Sequence, residues 1–149
     1  GYLGQKRQTI DMNLTVNHWG QKTTCEINAS GALKDDAQKI FRGTIDFKNG
    51  SAGSEGSEQE TVLMLGDGVV NKTVPLILCA EEDVQGNHGA TIGKLSEETL
   101  AYMAARGIPE ESAYELMAKA RIHRVCGRIP DEATRQLVEQ ELEGGNDDE

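Results

Sequence analysis

Polar and apolar positions alternate through residues 9–19. Ile10, Met12, Leu14, Val16 and His18 fall on one face, and Asp11, Asn13, Thr15 and Asn17 on the other. A period of two is that of a half-buried strand. The next run continues it through Thr23, Cys25, Ile27 and Ala29. Shorter strand-like runs follow at 38–47, 61–65, 73–79 and 84–88, with Gly20, Gly31, Gly50, Gly66, Gly68 and Gly86 as turn points. These intervals leave no room for crossover helices, which argues against a doubly wound α/β fold. Sandwich, barrel and β-helix all stay open on pattern alone. The segment Lys48–Glu60, rich in Gly, Ser and Glu, is expected to be an exposed, mobile loop.

Near Gly93 the period changes. Ser96 can cap a helix whose first turn carries Glu97 and Glu98, with Leu100, Met103 and Ala104 on one face and Gly107 as its stop. Pro109 suits the first position of a second helix, with Ala113, Leu116, Met117 and Ala120 as its expected apolar stripe. Gly127 ends it. Pro130 restarts the chain into a third helix marked by Ala133, Leu137, Val138 and Leu142. The expected organisation is a β core over 1–93, a helical domain over 94–143 and a disordered acidic tail over 144–149.

Composition narrows the function classes. The 149 residues suffice for one domain with a small appendage. Aromatics are only 4%, so an aliphatic core is expected. The net charge is −10, and residues 131–149 hold eight acids against Arg135 alone, which argues against a nucleic-acid groove. No apolar run approaches the ~20 residues of a membrane span, and no secretory h-region is visible. The chain starts at Gly1 rather than Met, so native residues are expected before it and the β core is expected to be incomplete at that end. Cys25, Cys79 and Cys126 are widely spaced and odd in number, which fits a reducing cytoplasm better than a disulfide framework. The plain expectation is that all three are buried or half-buried. Cys79, after Val74-Pro75-Leu76-Ile77-Leu78, is expected to pack.

One motif stands out. Asn87-His88-Gly89-Ala90-Thr91-Ile92-Gly93 places a histidine beside a glycine at the end of the strand-rich half. Tyr102 and Ala105-Arg106-Gly107-Ile108 follow it. Upstream lie Phe41-Arg42-Gly43-Thr44-Ile45-Asp46-Phe47, then Gly50 and Gly53, then Val84-Gln85-Gly86. In order and spacing these blocks resemble the C-terminal part of the SufB/SufD family, scaffold subunits of the SUF iron–sulfur cluster assembly machine. The resemblance runs from about Gly4 to about Leu142. It implies a mainly β fold, a right-handed parallel β-helix followed by a small C-terminal α-helical domain.

Read alone, His88 is one imidazole without a second ligand, and a turn histidine is the plainer reading. The resemblance implies more. In SufD-like proteins this histidine lies at the contact with SufB and is implicated in cluster assembly, so His88 is the candidate interface residue and the candidate metal ligand. SufB-like relatives carry a cysteine in the turn that here reads Gly66-Asp67-Gly68-Val69-Val70-Asn71-Lys72-Thr73-Val74-Pro75, which has none. The chain therefore looks like a D-type subunit, or like a partner that completes a shared site rather than holding a cluster alone.

The expected function is that of a non-catalytic scaffold, with a SufC-like ABC ATPase and a SufB-like subunit or a second copy as partners. No intrinsic cofactor is expected, and an iron–sulfur cluster only in the assembled complex. The helices over 96–126 are expected to dock the ATPase through Tyr114, Arg121, Ile122 and Arg124. Neither a P-loop nor a GxSxG is present, and Glu81-Glu82-Asp83 reads as a solvated turn. Two alternatives remain. A β-helix acting on carbohydrate would need apposed carboxylates and stacking aromatics, against which Tyr2, Trp19, Tyr102 and Tyr114 are few and scattered. A stand-alone metal module would use His18, His88 and a cysteine.

Overall fold

Each strand pairs with the strand two places along the chain, never with its immediate neighbour. The computed structural model describes residues 1–144. Its elements are β1 (Tyr2–Gly4), β2 (Thr9–His18), β3 (Thr24–Lys34), β4 (Gln38–Phe47), β5 (Ser54–Leu65), β6 (Val70–Cys79), β7 (Val84–Gly93), α1 (Glu97–Ala104), α2 (Glu110–Cys126) and α3 (Glu132–Gly144). One sheet runs β1-β3-β5-β7 and the other β2-β4-β6, and every pairing is parallel. The chain thus winds between two facing sheets as a parallel β-solenoid with coils β2–β3, β4–β5 and β6–β7, and three small helices follow.

In-register stacking puts like positions over one another. Val16 pairs with Ile45 and Ile45 with Ile77, while Cys25 pairs with Gly56 and Gly56 with Gly86. The period-two pattern of each strand therefore builds columns, one set inward and one outward. Leu33, Phe41, Ile45, Phe47 and Val62 are sealed inside. The core is aliphatic with two phenylalanines at its centre.

The segment read as a mobile loop contains a strand. β5 begins at Ser54 and is paired on both sides, by β3 and β7. Its inward positions Ser54, Gly56, Glu58 and Glu60 are all buried. Composition misled because inward residues here are polar. Small ones fit between columns, and Glu60 is matched by a buried lysine.

The helices start and stop largely where their signals lie. The Ser96 hydroxyl accepts from the Thr99 N–H at 3.2 Å, and Gly107, at φ 79°, turns the chain after α1. Pro109 is the N-cap of α2 rather than its first helical residue. Asp131 caps α3 by accepting from the Thr134 N–H at 2.8 Å. The α2 stripe differs from expectation. Ala113, Ala118, Ile122 and Cys126 are buried, whereas Leu116 and Ala120 are exposed. The helix packs on the outer face of the first sheet, where Ala118, Tyr114 and Met117 meet Ala32 and Leu63. In α3, Val138 and Leu142 are half-buried while Ala133 and Leu137 are exposed. The expected acidic tail from 145 onward lies outside the described residues.

Candidate functional site

His88 stands on β7, the terminal strand of its sheet, and is exposed. Its register partner is Glu58, which in turn pairs with Ile27. His88 therefore belongs to an inward column but lies on the last coil, where no further strand among the described residues covers it. The motif glycines have a packing role. A Cβ at Gly86 would lie 2.7 Å from Ile77 Cγ2, and one at Gly43 would lie 2.1 Å from Glu58 Oε2. Gly43 is thus the space into which the Glu58 carboxylate fits.

Behind His88 the interior is charged. Glu58 is 4% exposed, and burial raises its pKa above the ordinary carboxylate range. The imidazole of His88 acts the other way, the Glu60 charge adds to the rise, and Lys39 opposes it. Deeper in, the Lys39 ammonium donates to Glu60, as do the Thr73 hydroxyl and the Tyr2 phenol, the last at 3.1 Å. Burial lowers the Lys39 pKa and Glu60 opposes the fall. Burial, reinforced by the Glu60 charge, pushes the Tyr2 phenol far up. None of this buried network was expected from the sequence. The available signal was Lys39, Glu58 and Glu60 at inward positions of strands, readable only once strand faces are known.

The last coil presents a second feature. On the outward row of β6, Val70, Val74, Leu76 and Leu78 are 38%, 51%, 46% and 42% exposed, with exposed Lys72 between the first two. Cys79 ends that strand and is exposed, which corrects the expectation that it packs. It continues the His18–Phe47 column, but with no strand stacked beyond it. Cys25 is half-buried and Cys126 buried, as expected.

On the helices, Arg124 is exposed, Tyr114 and Arg121 are half-buried and Ile122 is buried at 7% exposure. Ile122 is therefore packed within the chain. Arg121 and Arg124 line a cavity of about 180 Å³ with Arg128, Asn28 and Gln59, and the Arg121 Nε is buried without a hydrogen-bond partner.

The alternative sites are not assembled. Among the described residues no group of three or more His, Cys, Asp or Glu side chains is placed to hold a metal. His18 and Cys25 meet, but His88 is on the last coil, so the three-ligand module does not form. Glu58 and Glu60 are buried rather than facing across a cleft, Trp19 is 72% exposed in the β2–β3 connection, and Tyr102 and Tyr114 lie on helices.

Stacked parallel coils with an exposed histidine and exposed apolar side chains on the terminal coil, followed by three helices, define a parallel β-solenoid with a helical C-terminal appendage. Residues 1–121 match the sequence profile described as SUF system FeS cluster assembly, SufBD core domain, and the chain belongs to that family. It is 30% identical over 137 residues to the iron–sulfur cluster assembly protein SufD of Bacillus subtilis, covering 91% of this chain and 31% of that protein. An iron–sulfur cluster assembly SufBD family protein of Staphylococcus saprophyticus is 27% identical over 142 residues, 93% of this chain and 30% of its own length. One from Mycobacterium bovis is 25% identical over 140 residues, 92% of this chain and 16% of its own length. The chain thus spans less than a third of these relatives. No helix among the described residues is long and apolar enough to cross a membrane.

Proposed function

We propose that the chain is a D-type, non-catalytic scaffold segment of a cytoplasmic SUF complex. It pairs through its terminal coil with a SufB-like subunit or a second copy, and its helices dock a SufC-like ABC ATPase. The observation that carries this reading is the placement of His88. It is exposed on a terminal strand, next in register to a buried carboxylate, on the coil whose other strand shows an unpartnered apolar row. Terminal strands and apolar rows are the usual substrates of strand-to-strand association. Iron and sulfide are then cargo. His88 supplies one neutral imidazole to a site that a partner completes, and the Glu58 carboxylate behind it favours positive charge there. An ATPase contact uses the exposed parts of Tyr114, Arg121 and Arg124, with Arg charge steering association to an acidic counterpart.

The test is affinity purification of the tagged chain from its native cell, followed by anaerobic reconstitution. An ABC ATPase and a second β-solenoid subunit should copurify. His88→Ala should leave the complex assembled and reduce its cluster content. Arg121→Glu with Arg124→Glu should lose the ATPase and keep the solenoid partner. Purification of the chain alone, or full cluster content in His88→Ala, would sink the reading.

A further inference from the structure

A second histidine, in a separate part of the molecule, forms a contact that the scaffold reading does not use. His18 closes β2 with only 3% of its surface exposed, its ring stacked on Phe47 at 4.7 Å between centroids. Its Nε2 lies 3.2 Å from the Cys25 Sγ, and its Nδ1 lies 2.6 Å from the Thr23 hydroxyl. The Ser54 hydroxyl accepts from the Thr23 N–H at 3.0 Å and donates to the Gly20 carbonyl at 3.1 Å. The Thr23 hydroxyl can donate to Ser54 Oγ, 2.9 Å away, or to the Gly20 carbonyl, 3.3 Å away. With its proton so directed, Thr23 Oγ1 accepts from Nδ1–H. The lone pair of Nε2 then faces Sγ. This is the arrangement of nucleophile, base and orienting group that activates thiols.

We propose that Cys25 is a reactive thiol that exchanges with small disulfides, with His18 as its base and Thr23 as the positioning residue for the imidazole. Burial raises the Cys25 pKa while a backbone hydrogen bond from Ser57 opposes the rise, so the resting group is a thiol and needs a base at Sγ. In the exchange, the Sγ proton moves to His18 Nε2 and the thiolate attacks one sulfur of R–S–S–R. The Sγ–S bond forms as the S–S bond breaks, and the departing RS⁻ takes the proton from the imidazolium as RSH. Cys25 is oxidised to a mixed disulfide and the second sulfur of the reagent is reduced. Among the described residues, the other two cysteines make no hydrogen bond to a histidine. Cys79 is exposed and Cys126 is buried, so both serve as internal references.

The experiment treats the full chain with 2-hydroxyethyl disulfide, a small uncharged reagent, at neutral pH and follows each cysteine by peptide mass spectrometry. Cys25 should react at least as fast as exposed Cys79 in spite of its burial. His18→Gln should slow Cys25 about tenfold or more and leave Cys79 unchanged. Thr23→Val should also slow Cys25, and Thr23→Ser should restore it. Protection of Cys126 reports that each variant is folded, and should His18→Gln unfold, the Thr23 pair decides. Unmodified Cys25 beside reactive Cys79, or equal Cys25 rates in Thr23→Val and Thr23→Ser, would overturn the proposal.

Discussion

The Lys39 ammonium on β4 and the Glu60 carboxylate on β5 form an ion pair between the two sheets, with neither side chain exposed at all. Two charges inside a small solenoid persist because each is matched and the carboxylate also accepts from Thr73 and Tyr2. Removing one partner leaves the other charged and dry, at a cost of about 3–5 kcal/mol, whereas replacing both by apolar groups of similar volume is often neutral. Lys39→Met and Glu60→Leu should each lower the urea midpoint strongly. The double variant should be more stable than either single one. Additive losses in the double variant would show that the two residues do not act as a pair.

Glu58 should make the protein more stable in mild acid than its other carboxylates would suggest. Its pKa is raised by burial, so the folded chain holds that proton more tightly than the unfolded chain. That contribution is fully present below the ordinary carboxylate range and is lost as pH rises through the raised value. Glu58→Gln should therefore raise stability at pH 7 relative to the parent, with the advantage shrinking towards pH 4. Denaturant midpoints across that range test it, and a gap that widens on acidification contradicts it.

Gly43 should tolerate no side chain while Glu58 is present. The added Cβ would lie 2.1 Å from a Glu58 carboxylate oxygen, so that buried side chain would have to move. Gly43→Ala should cost about 1–3 kcal/mol, the scale of overpacking. In the Glu58→Ala background the same substitution should cost much less. An unchanged cost would place the strain in the backbone instead.

The outward row of β6 should contribute to association. Leu76, between Val74 and Leu78 on that row and 46% exposed, can be changed without touching the interior. Leu76→Lys should leave the circular dichroism and urea midpoint unchanged while weakening self-association or capture of the partner subunit at least tenfold, about 1.4 kcal/mol. Light scattering over a concentration series and the affinity purification described above read it. Undiminished association would move the interface off this face.

The sequence by itself carried what is local. The alternation in β2 and β3 marked strands, Ser96 and Gly107 bounded α1, and Gly127 ended α2, because caps and periods depend on residues a few positions apart. The parallel solenoid came from family resemblance rather than from pattern, since period two is shared by every half-buried sheet. Tertiary structure decided the rest. Ser54 to Glu60 became a strand only because β3 and β7 flank it and Lys39 answers Glu60. Leu116 was left exposed and Ile122 covered because the first sheet selects which side of α2 it meets. Cys79 shares a column with buried His18 and Phe47 yet is exposed, since burial there depends on having a further coil above it. His18 and Cys25 meet across a turn through side chains whose directions follow from the strands' facing sheets. Each of these outcomes depends on which distant residue stacks where, and a one-dimensional pattern does not contain that information.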